Sequence, residues 1–230
     1  MDEDIRKFAD RLKLDIDQDK STGTLSDTPL SDKDLRETEK RIQMAGIGRR
    51  YQGCTFQAIE AKGVPQSITH EYAQLKTYAG NLSGNIKNGK GLLLKGPVGT
   101  MKTTLAVAVL LEHIHAGGYG LFITMSSLLD TIFSLKAKNV EEWAKFENDL
   151  RKTRVLVIDD LGSEHTEGWV LTKVDSIISE RYNGLLPVII TTNLSSEQLK
   201  RTYAERIIDR MRSTMQEITF SGQSLRTKAG

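Results

Sequence analysis

The 230-residue chain lacks the cysteines, long apolar runs and signal peptide that are typical of secreted or membrane proteins. Its one cysteine, Cys54, excludes an internal disulfide and a zinc site built from several cysteines. No apolar run approaches the roughly 20 residues that a bilayer-spanning helix needs. The first residues, Met1–Asp4, are acidic and lack the basic and apolar regions of a signal peptide. We therefore predict a cytoplasmic protein with no membrane partner.

Excess charge of either sign is also nearly absent, since the formal net charge is +2. Residues 1–45 hold twelve Asp or Glu and nine Lys or Arg, a net charge of −3, which leaves +5 on residues 46–230. A mildly basic main domain is compatible with DNA binding, but many proteins that never contact DNA have a similar charge. Charge alone therefore does not decide whether nucleic acid is a partner.

Residues 1–45 have the pattern of a small, separate helical region. Ile5, Phe8, Leu12 and Ile16 share one face of a predicted helix, and a polar segment then leads to a second helix from Ser31. Two short amphipathic helices bury little apolar surface by themselves, so they must pack against something. Both possibilities remain open: packing on the main domain, or docking on a partner protein.

Residues 46–90 are predicted to be a linker that also forms the base side of a nucleotide site, and residues 91–230 to be the main domain. In the main domain, short apolar strands alternate with helices, which is typical of a doubly wound parallel sheet with helices on both faces. The predicted strands are Leu92–Lys95, Leu121–Met125, Val155–Asp159, Pro187–Thr192 and Gln216–Phe220.

A glycine loop follows the first of these strands and opens a helix, which is the context of a phosphate-binding loop. The predicted ATP-binding residues are Gly96, Pro97, Val98, Gly99, Thr100, Met101, Lys102, Thr103 and Thr104. Lys102 is expected to reach the β- and γ-phosphates, and the Thr103 hydroxyl to bind Mg²⁺. Met101 occupies the position of the second motif glycine and departs from the G-x-x-x-x-G-K-[ST] pattern.

Two later strands also end in polar residues. Val155–Asp159 ends in an acid and is followed by Asp160, at the sheet edge where such folds bind ligands. We expect Asp159 to hold Mg²⁺ and Asp160 to orient or deprotonate the attacking water. Asn193 follows Pro187–Thr192; it either contacts that water or simply caps the next helix.

A pair of arginines, Arg206 and Arg210, shares one face of a later predicted helix with acids nearby. The pattern fits an exposed, salt-bridged helix, and it also fits an arginine that reaches into the ATP site of a neighbouring subunit.

Taken together, residues from about Tyr51 to Arg226 resemble the DnaC/DnaI/IstB group of AAA+ ATPases. The most specific stretches are Ile158–Glu164, Arg181–Leu194 and Phe220–Arg226. The resemblance implies a five-stranded AAA+ P-loop core without a C-terminal helical lid. Asp159 and Asp160 would form Walker B, with Asn193 as sensor 1. Arg210 would be the arginine finger with Arg206 as the alternative, and Arg226 a residue like sensor 2.

The same resemblance implies partners. Family members bind a replicative helicase through the N-terminal part and load it onto single-stranded DNA, with ATP-dependent self-association through the ATP site. Some loaders carry an N-terminal zinc domain, but residues 1–45 contain no Cys or His, so zinc is not expected there. The candidate DNA contacts are Lys136, Lys138, Lys145, Arg151 and Lys152, with Trp143 and Phe146 as stacking surfaces. Trp143 and Phe146 also have the spacing of core residues.

Three other functions use some or all of these motifs. An IstB-like ATPase helper of a transposase would share the whole core and differ in its partner. A small-molecule P-loop kinase would need an arginine-bearing lid, for which the sequence has no sign. A non-hydrolysing, ATP-gated adaptor is the third, because Met101 and Asp160 depart from the common motifs and could slow turnover.

Overall fold

The computed structural model describes residues 32–136, 140–162 and 168–226. Its centre is one sheet of five parallel strands in the order β2-β3-β4-β1-β5. The strands are β1 Gly91–Lys95, β2 Gly120–Thr124, β3 Val155–Leu161, β4 Val188–Thr192 and β5 Met215–Thr219. The predicted five-stranded parallel sheet is therefore confirmed, and each predicted strand overlaps an observed one.

The helices precede, connect and follow these strands. Before the sheet come α1 Asp32–Met44, α2 Phe56–Lys62, α3 Thr69–Gly80 and α4 Leu82–Lys87, with short 3-10 turns at Arg49–Tyr51 and Gln66–Ile68. Within the sheet region come α5 Lys102–His115, α6 Met125–Lys136, α7 Val140–Lys152, α8 Gly168–Asn183, α9 Ser196–Thr202 and α10 Glu205–Thr214. Within the described residues, no helix is both long enough and apolar enough to cross a membrane.

Two apolar cores lie on opposite faces of the sheet, because alternate strand residues point to opposite sides. Leu92 and Leu94 of β1 join a core with α5 and the helices before the sheet. Leu93 joins the other core with α6 to α10. Burial on both faces explains why the strands read as continuous apolar runs rather than as alternating ones. The prediction of helices on both faces is confirmed.

The segment before the sheet, residues 46–90, packs into the first core through buried side chains. Phe56 and Ile59 anchor α2, while Leu75 and Tyr78 anchor α3. The Tyr78 hydroxyl also donates a hydrogen bond of 2.5 Å to the Lys90 carbonyl, just before β1. This segment, predicted to be a linker that also forms the base side of a nucleotide site, is thus folded into helices that cover one face of the core.

Helix α1 also packs on the main domain. Ala45, at its end, is buried, and its carbonyl accepts a 2.7 Å hydrogen bond from the Phe122 amide of the edge strand β2. Arg41 lies over the Tyr119 ring at 4.9 Å from the centroid. Leu35, by contrast, remains 48% exposed. The helix predicted around Ile5–Ile16, and Ser31 at the predicted start of the second helix, lie outside the described residues.

A buried acid in α7 makes stability depend on pH. Asp149 is 3% exposed, and its Oδ2 has no hydrogen-bond partner among the described residues. Burial raises the pKa of this carboxyl from 3.8 to about 6. Below pH 3.8 the carboxyl is neutral in both the folded and unfolded states. As pH rises through 6, the folded protein must hold a buried charge, so stability is lost.

We therefore expect Asp149→Asn to stabilise the protein at pH 8 by about 1–2 kcal/mol, and by about half as much at pH 5. Urea unfolding of both proteins at the two pH values measures the difference. An equal effect of the substitution at pH 5 and pH 8 would show that ionisation of Asp149 is not its cause.

Candidate nucleotide site

The loop between β1 and α5 has the backbone that the glycine motif predicts. Gly96 has a φ of +141° and Gly99 a φ of +84°, both of which favour glycine. A Cβ on Gly96 would lie 2.2 Å from the Phe220 carbonyl oxygen, and one on Gly99 would lie 2.1 Å from Ser224 Oγ. These glycines therefore also allow the segment after β5 to pass against the loop.

Met101 adopts a left-handed conformation with φ +66° and ψ +12°, although it carries a side chain. This conformation is disfavoured for L-residues by about 1–2 kcal/mol. The side chain is half-buried and packs against the first apolar core. The left-handed backbone thus gives a physical reason for the usual glycine at this position. The packing of the methionine side chain against the core offsets part of the strain.

Substitutions at Met101 test this conformation. We expect Met101→Gly to be more stable than Met101→Ala by about 1 kcal/mol, because both lose the packing but only alanine keeps the left-handed strain. Chemical unfolding of the two variants measures the difference. If alanine is as stable as glycine, residue 101 is not left-handed in the folded protein.

Lys102 is buried inside the loop that it follows. Its Nζ donates to the carbonyls of Gly96 and Pro97 at 2.7 and 2.6 Å, and to Asn193 Oδ1 at 2.9 Å. Burial lowers the pKa of the Lys102 ammonium, Asp160 and Asp159 oppose that shift, and Arg226 adds to it. The loop therefore encloses a cation that two carboxylates face.

The two acids of β3 lie at an irregularity in the sheet. The pairing of β3 with β4 shifts between Ile158 and Leu161, and Asp160 has a φ of +61°. Such a bulge re-aims side chains at a sheet edge. Thr191 holds both acids: its hydroxyl donates to Asp159 Oδ1 at 2.6 Å and accepts from the Asp160 amide at 2.9 Å.

Asp159 is the more buried of the two acids and adjoins the loop. Burial raises the pKa of the Asp159 carboxyl, while hydrogen bonds from the Thr191 and Thr103 hydroxyls act in the opposite direction. The structure thus brings Thr103 and Asp159, the two predicted magnesium ligands, into contact. Hydroxyl and carboxylate oxygens are the donors that Mg²⁺ prefers, so this pair fits the metal.

Asn193 connects the lysine with the second acid. Its Oδ1 accepts from Lys102, and its Nδ2 donates to Asp160 Oδ1 at 2.6 Å. The cap of α9 is Ser195, which forms a capping box with Gln198. The alternative that Asn193 only caps the helix is therefore wrong, because Ser195 performs that role.

The loop, the two acids and Asn193 line one cleft of about 730 Å³. The cleft volume lies within the range of small-molecule binding sites. Four residues that were not predicted individually also border it: Arg50, Tyr51 and Pro65, from the segment predicted to form the base side, and Leu225. These residues come from segments far apart in the sequence and carry no motif, so only the fold brings them here.

The segment after β5 forms one wall of the cleft. The Phe220 amide donates to the Lys95 carbonyl at 2.7 Å, and the Leu225 amide donates to the Gly99 carbonyl at 2.9 Å. These bonds place Arg226 at the cleft, close enough to Lys102 for its charge to act on the Lys102 ammonium. The structure thus brings Arg226 to the site, as the resemblance implies for a cationic residue near the phosphates.

Arg206 and Arg210 are not among the described residues that line this cleft. Both contact Asp175 of α8, and Arg210 also donates to Ser179 Oγ at 2.5 Å. The side chain of Arg206 is 66% exposed, whereas that of Arg210 is 29% exposed and lies over the Tyr182 ring. Within this chain the two arginines therefore stabilise the α8–α10 contact.

The sheet order places β4 between the loop strand β1 and the acid strand β3. This order, the glycine loop, the acids of β3 and the polar end of β4 define a P-loop NTPase of the AAA+ class. The IstB-like ATP binding protein family matches residues 15–230, and the chain belongs to that family.

Known relatives agree with this assignment. The chain is 24% identical over 176 residues to the replicative helicase loader DnaC of Escherichia coli K12, covering 76% of this chain and 69% of DnaC. It is 28% identical over 160 residues to the replicative helicase loader DnaI of Bacillus subtilis, covering 67% and 49%. A crystal structure of the DnaC helicase loader superposes with a TM-score of 0.67 at 27% identity, covering 75% of this chain and 99% of the other.

Proposed function

We propose that this protein is an ATPase that loads a replicative DNA helicase onto single-stranded DNA in the cytoplasm. The observation that carries the proposal is the similarity to two named helicase loaders, with the loop, acids and Asn193 gathered in one cleft. The N-terminal region, residues 1–45, is the proposed helicase-binding part. ATP, with Mg²⁺, is the proposed nucleotide ligand.

The chain's own residues suit phosphoryl chemistry. Thr103 and Asp159 would hold Mg²⁺, which supplies charge neutralisation on the phosphates when bound. Lys102 and the loop amides would bind the phosphate oxygens, and Arg226 would add positive charge to the same cleft. Asp160 accepts from Asn193, so the pair is suited to orient a water molecule, with Asp160 taking its proton.

Single-stranded DNA is the proposed second ligand, and the structure narrows the candidate contacts. Phe146 is 2% exposed, so its proposed role as a stacking surface is wrong. Trp143 is half-buried between Phe146 and Lys173. Arg151 pairs with Glu147 and Glu180.

The remaining DNA candidates come from the basic residues around α6 and α7. Lys145 and Lys152 are described and stay proposed contacts, with Lys152 exposed. Lys138 and the side chain of Lys136 lie outside the part of the chain that the structure describes.

The proposal is tested with purified helicase from the same organism. A forked oligonucleotide annealed to closed circular single-stranded DNA, coated with single-strand-binding protein, is unwound only if the helicase is loaded. We expect unwinding to require both this protein and ATP. Loss of unwinding with a chain lacking residues 2–31, which spares α1 and its core contacts, would support N-terminal docking. If the intact protein does not stimulate unwinding, the loader function is contradicted.

Self-association through the ATP site is the third part of the proposal. Arg210, or alternatively Arg206, would reach the ATP site of a neighbouring subunit and stabilise transition-state charge. We expect Arg210→Ala to keep the ATP Kd within about twofold, and to lower assembly-stimulated hydrolysis at least 100-fold, since arginine fingers contribute about 10³–10⁵. Mixing Arg210→Ala with Lys102→Ala subunits should restore part of the activity. If Arg206→Ala loses hydrolysis and Arg210→Ala does not, Arg206 is the finger.

A second candidate, an ATPase helper of a transposase, is favoured by the family that the chain belongs to. The core would work in the same way, and the partner would differ. The unwinding assay separates the two functions, because a transposase helper would bind ATP normally yet leave the helicase unloaded.

A further inference from the structure

A buried lysine lies at the end of β1, directly before the glycine loop. Lys95 is 6% exposed, and its Nζ donates a 2.5 Å hydrogen bond to Ser196 Oγ. The same Nζ lies 2.5 Å from Glu217 Oε1. One ammonium thus joins β1, the first residue of α9 and the edge strand β5. Burial of a charge is unfavourable unless it is paired, and an apolar side chain would fill this position more simply.

Through Ser196, Lys95 holds the connection between β4 and α9, and this connection contains Asn193. Only Leu194 and Ser195 separate Asn193 from Ser196, so the two ends of this connection move together. At its β4 end, the Thr192 hydroxyl accepts from the Leu194 amide at 3.1 Å and donates to the Leu161 carbonyl at 2.6 Å.

At the α9 end, the Lys95 bond to Ser196 adds to the Ser195 capping box. The connection is therefore tied on both sides of Asn193.

Asn193 itself is exposed, and its amide contacts Lys102 and Asp160 on the other side of the cleft. Both contacts depend on how far the β4–α9 connection reaches toward the loop. A misplacement of about 1 Å at such a site can cost roughly 10²-fold in rate.

We propose that Lys95 is a positioning residue for hydrolysis: through Ser196 it sets the distance of the Asn193 amide from Lys102 and Asp160. The inference rests on the proposed ATPase function and adds a residue to it. It also explains why a cation occupies a buried position that no phosphate contact requires.

The first test is Lys95→Met, which keeps most of the length of the side chain and removes its ammonium group. The Glu217 carboxylate that is left behind is 48% exposed and can be hydrated, so no unpaired charge is buried and the fold should be retained. We expect kcat to fall roughly tenfold while the ATP Kd stays within about twofold. Ser196→Ala should have the same effect, and the double variant should be no worse than either single one.

The control is Glu217→Gln, which removes the half-exposed ionic partner and leaves the Lys95 bond to Ser196. We expect kcat to stay within about twofold of wild type, since the glutamine amide oxygen can still accept from the Lys95 ammonium and Ser196 keeps its bond. Thermal unfolding of every variant shows that a lower kcat is not a loss of folded protein.

The decisive comparison uses Asn193→Ala as the background. If Lys95 acts through Asn193, Lys95→Met lowers kcat no further in that background. The inference is wrong if Lys95→Met keeps the wild-type kcat, or lowers it by the same factor in both backgrounds.

A wild-type protein that binds ATP and never hydrolyses it would contradict the proposed ATPase instead. Hydrogen exchange of residues 193–203 then decides the positioning role. Faster exchange in Lys95→Met than in Glu217→Gln supports it, and equal exchange overturns it.

Discussion

Replacement of Lys102 by alanine is expected to raise the ATP Kd at least 100-fold, which corresponds to about 3 kcal/mol. Lys102 lies in the middle of the site: the loop carbonyls of Gly96 and Pro97 surround its Nζ, and Asn193 accepts its third hydrogen bond. Charge-assisted hydrogen bonds to phosphate are among the strongest in proteins, and alanine removes them all. Titration with a fluorescent ATP analogue and Mg²⁺ measures the affinity.

The control for this variant is Lys200→Ala, which removes an exposed lysine of α9. It should bind the analogue like wild type. Both variants should unfold at temperatures close to that of wild type. If folded Lys102→Ala binds ATP with unchanged affinity, the nucleotide site has been assigned to the wrong cleft, and the hydrolysis mechanism proposed here does not apply.

The sequence predicted the parts of this site that depend on local pattern. A strand, a glycine loop and a helix in succession placed Lys102 and Thr103, because backbone geometry in such a unit follows from a few neighbouring residues. The acids near the end of β3 and the amide after β4 could be predicted to meet, since the carboxyl ends of parallel strands lie at one edge of a sheet.

The parts that depend on long-range contact could not be predicted from pattern. Lys95 is one residue before the motif, and its partner Ser196 is 101 positions away. The bulge at Asp160 arises from a register shift against β4, which the sequence of β3 alone does not encode. Arg50 and Pro65 reach the cleft because residues 46–90 fold onto the core; the sequence indicates a base-side role for this segment but not which of its residues line the cleft.

The contacts of Arg181 could not be predicted from pattern either. The sequence marks Arg181 only as part of a stretch that resembles the family. It is fully buried, and its guanidinium donates to backbone carbonyls, the shortest bonds being those to Leu150, Thr153 and Pro187 at 2.8–2.9 Å. Two of these carbonyls lie at the end of α7, where the helix dipole favours a cation. Burial lowers the pKa of the Arg181 guanidinium to about 9, so it stays charged at neutral pH. One side chain thus ties α8 to the end of α7 and the start of β4.

Replacement of Arg181 by methionine is therefore expected to destabilise the protein by about 3–5 kcal/mol, because it leaves several buried carbonyls without a donor. Urea unfolding followed by circular dichroism measures the free energy. Arg151→Met is the matched control: its ion pairs with Glu147 and Glu180 are partly exposed, so the expected loss is at most about 1 kcal/mol. Arg181→Lys should recover only part of the loss, since an ammonium cannot reach carbonyls on both sides of the guanidinium plane. Equal destabilisation by Arg181→Met and Arg151→Met would mean that water satisfies those carbonyls, and that packing rather than hydrogen bonding holds α7 to the sheet.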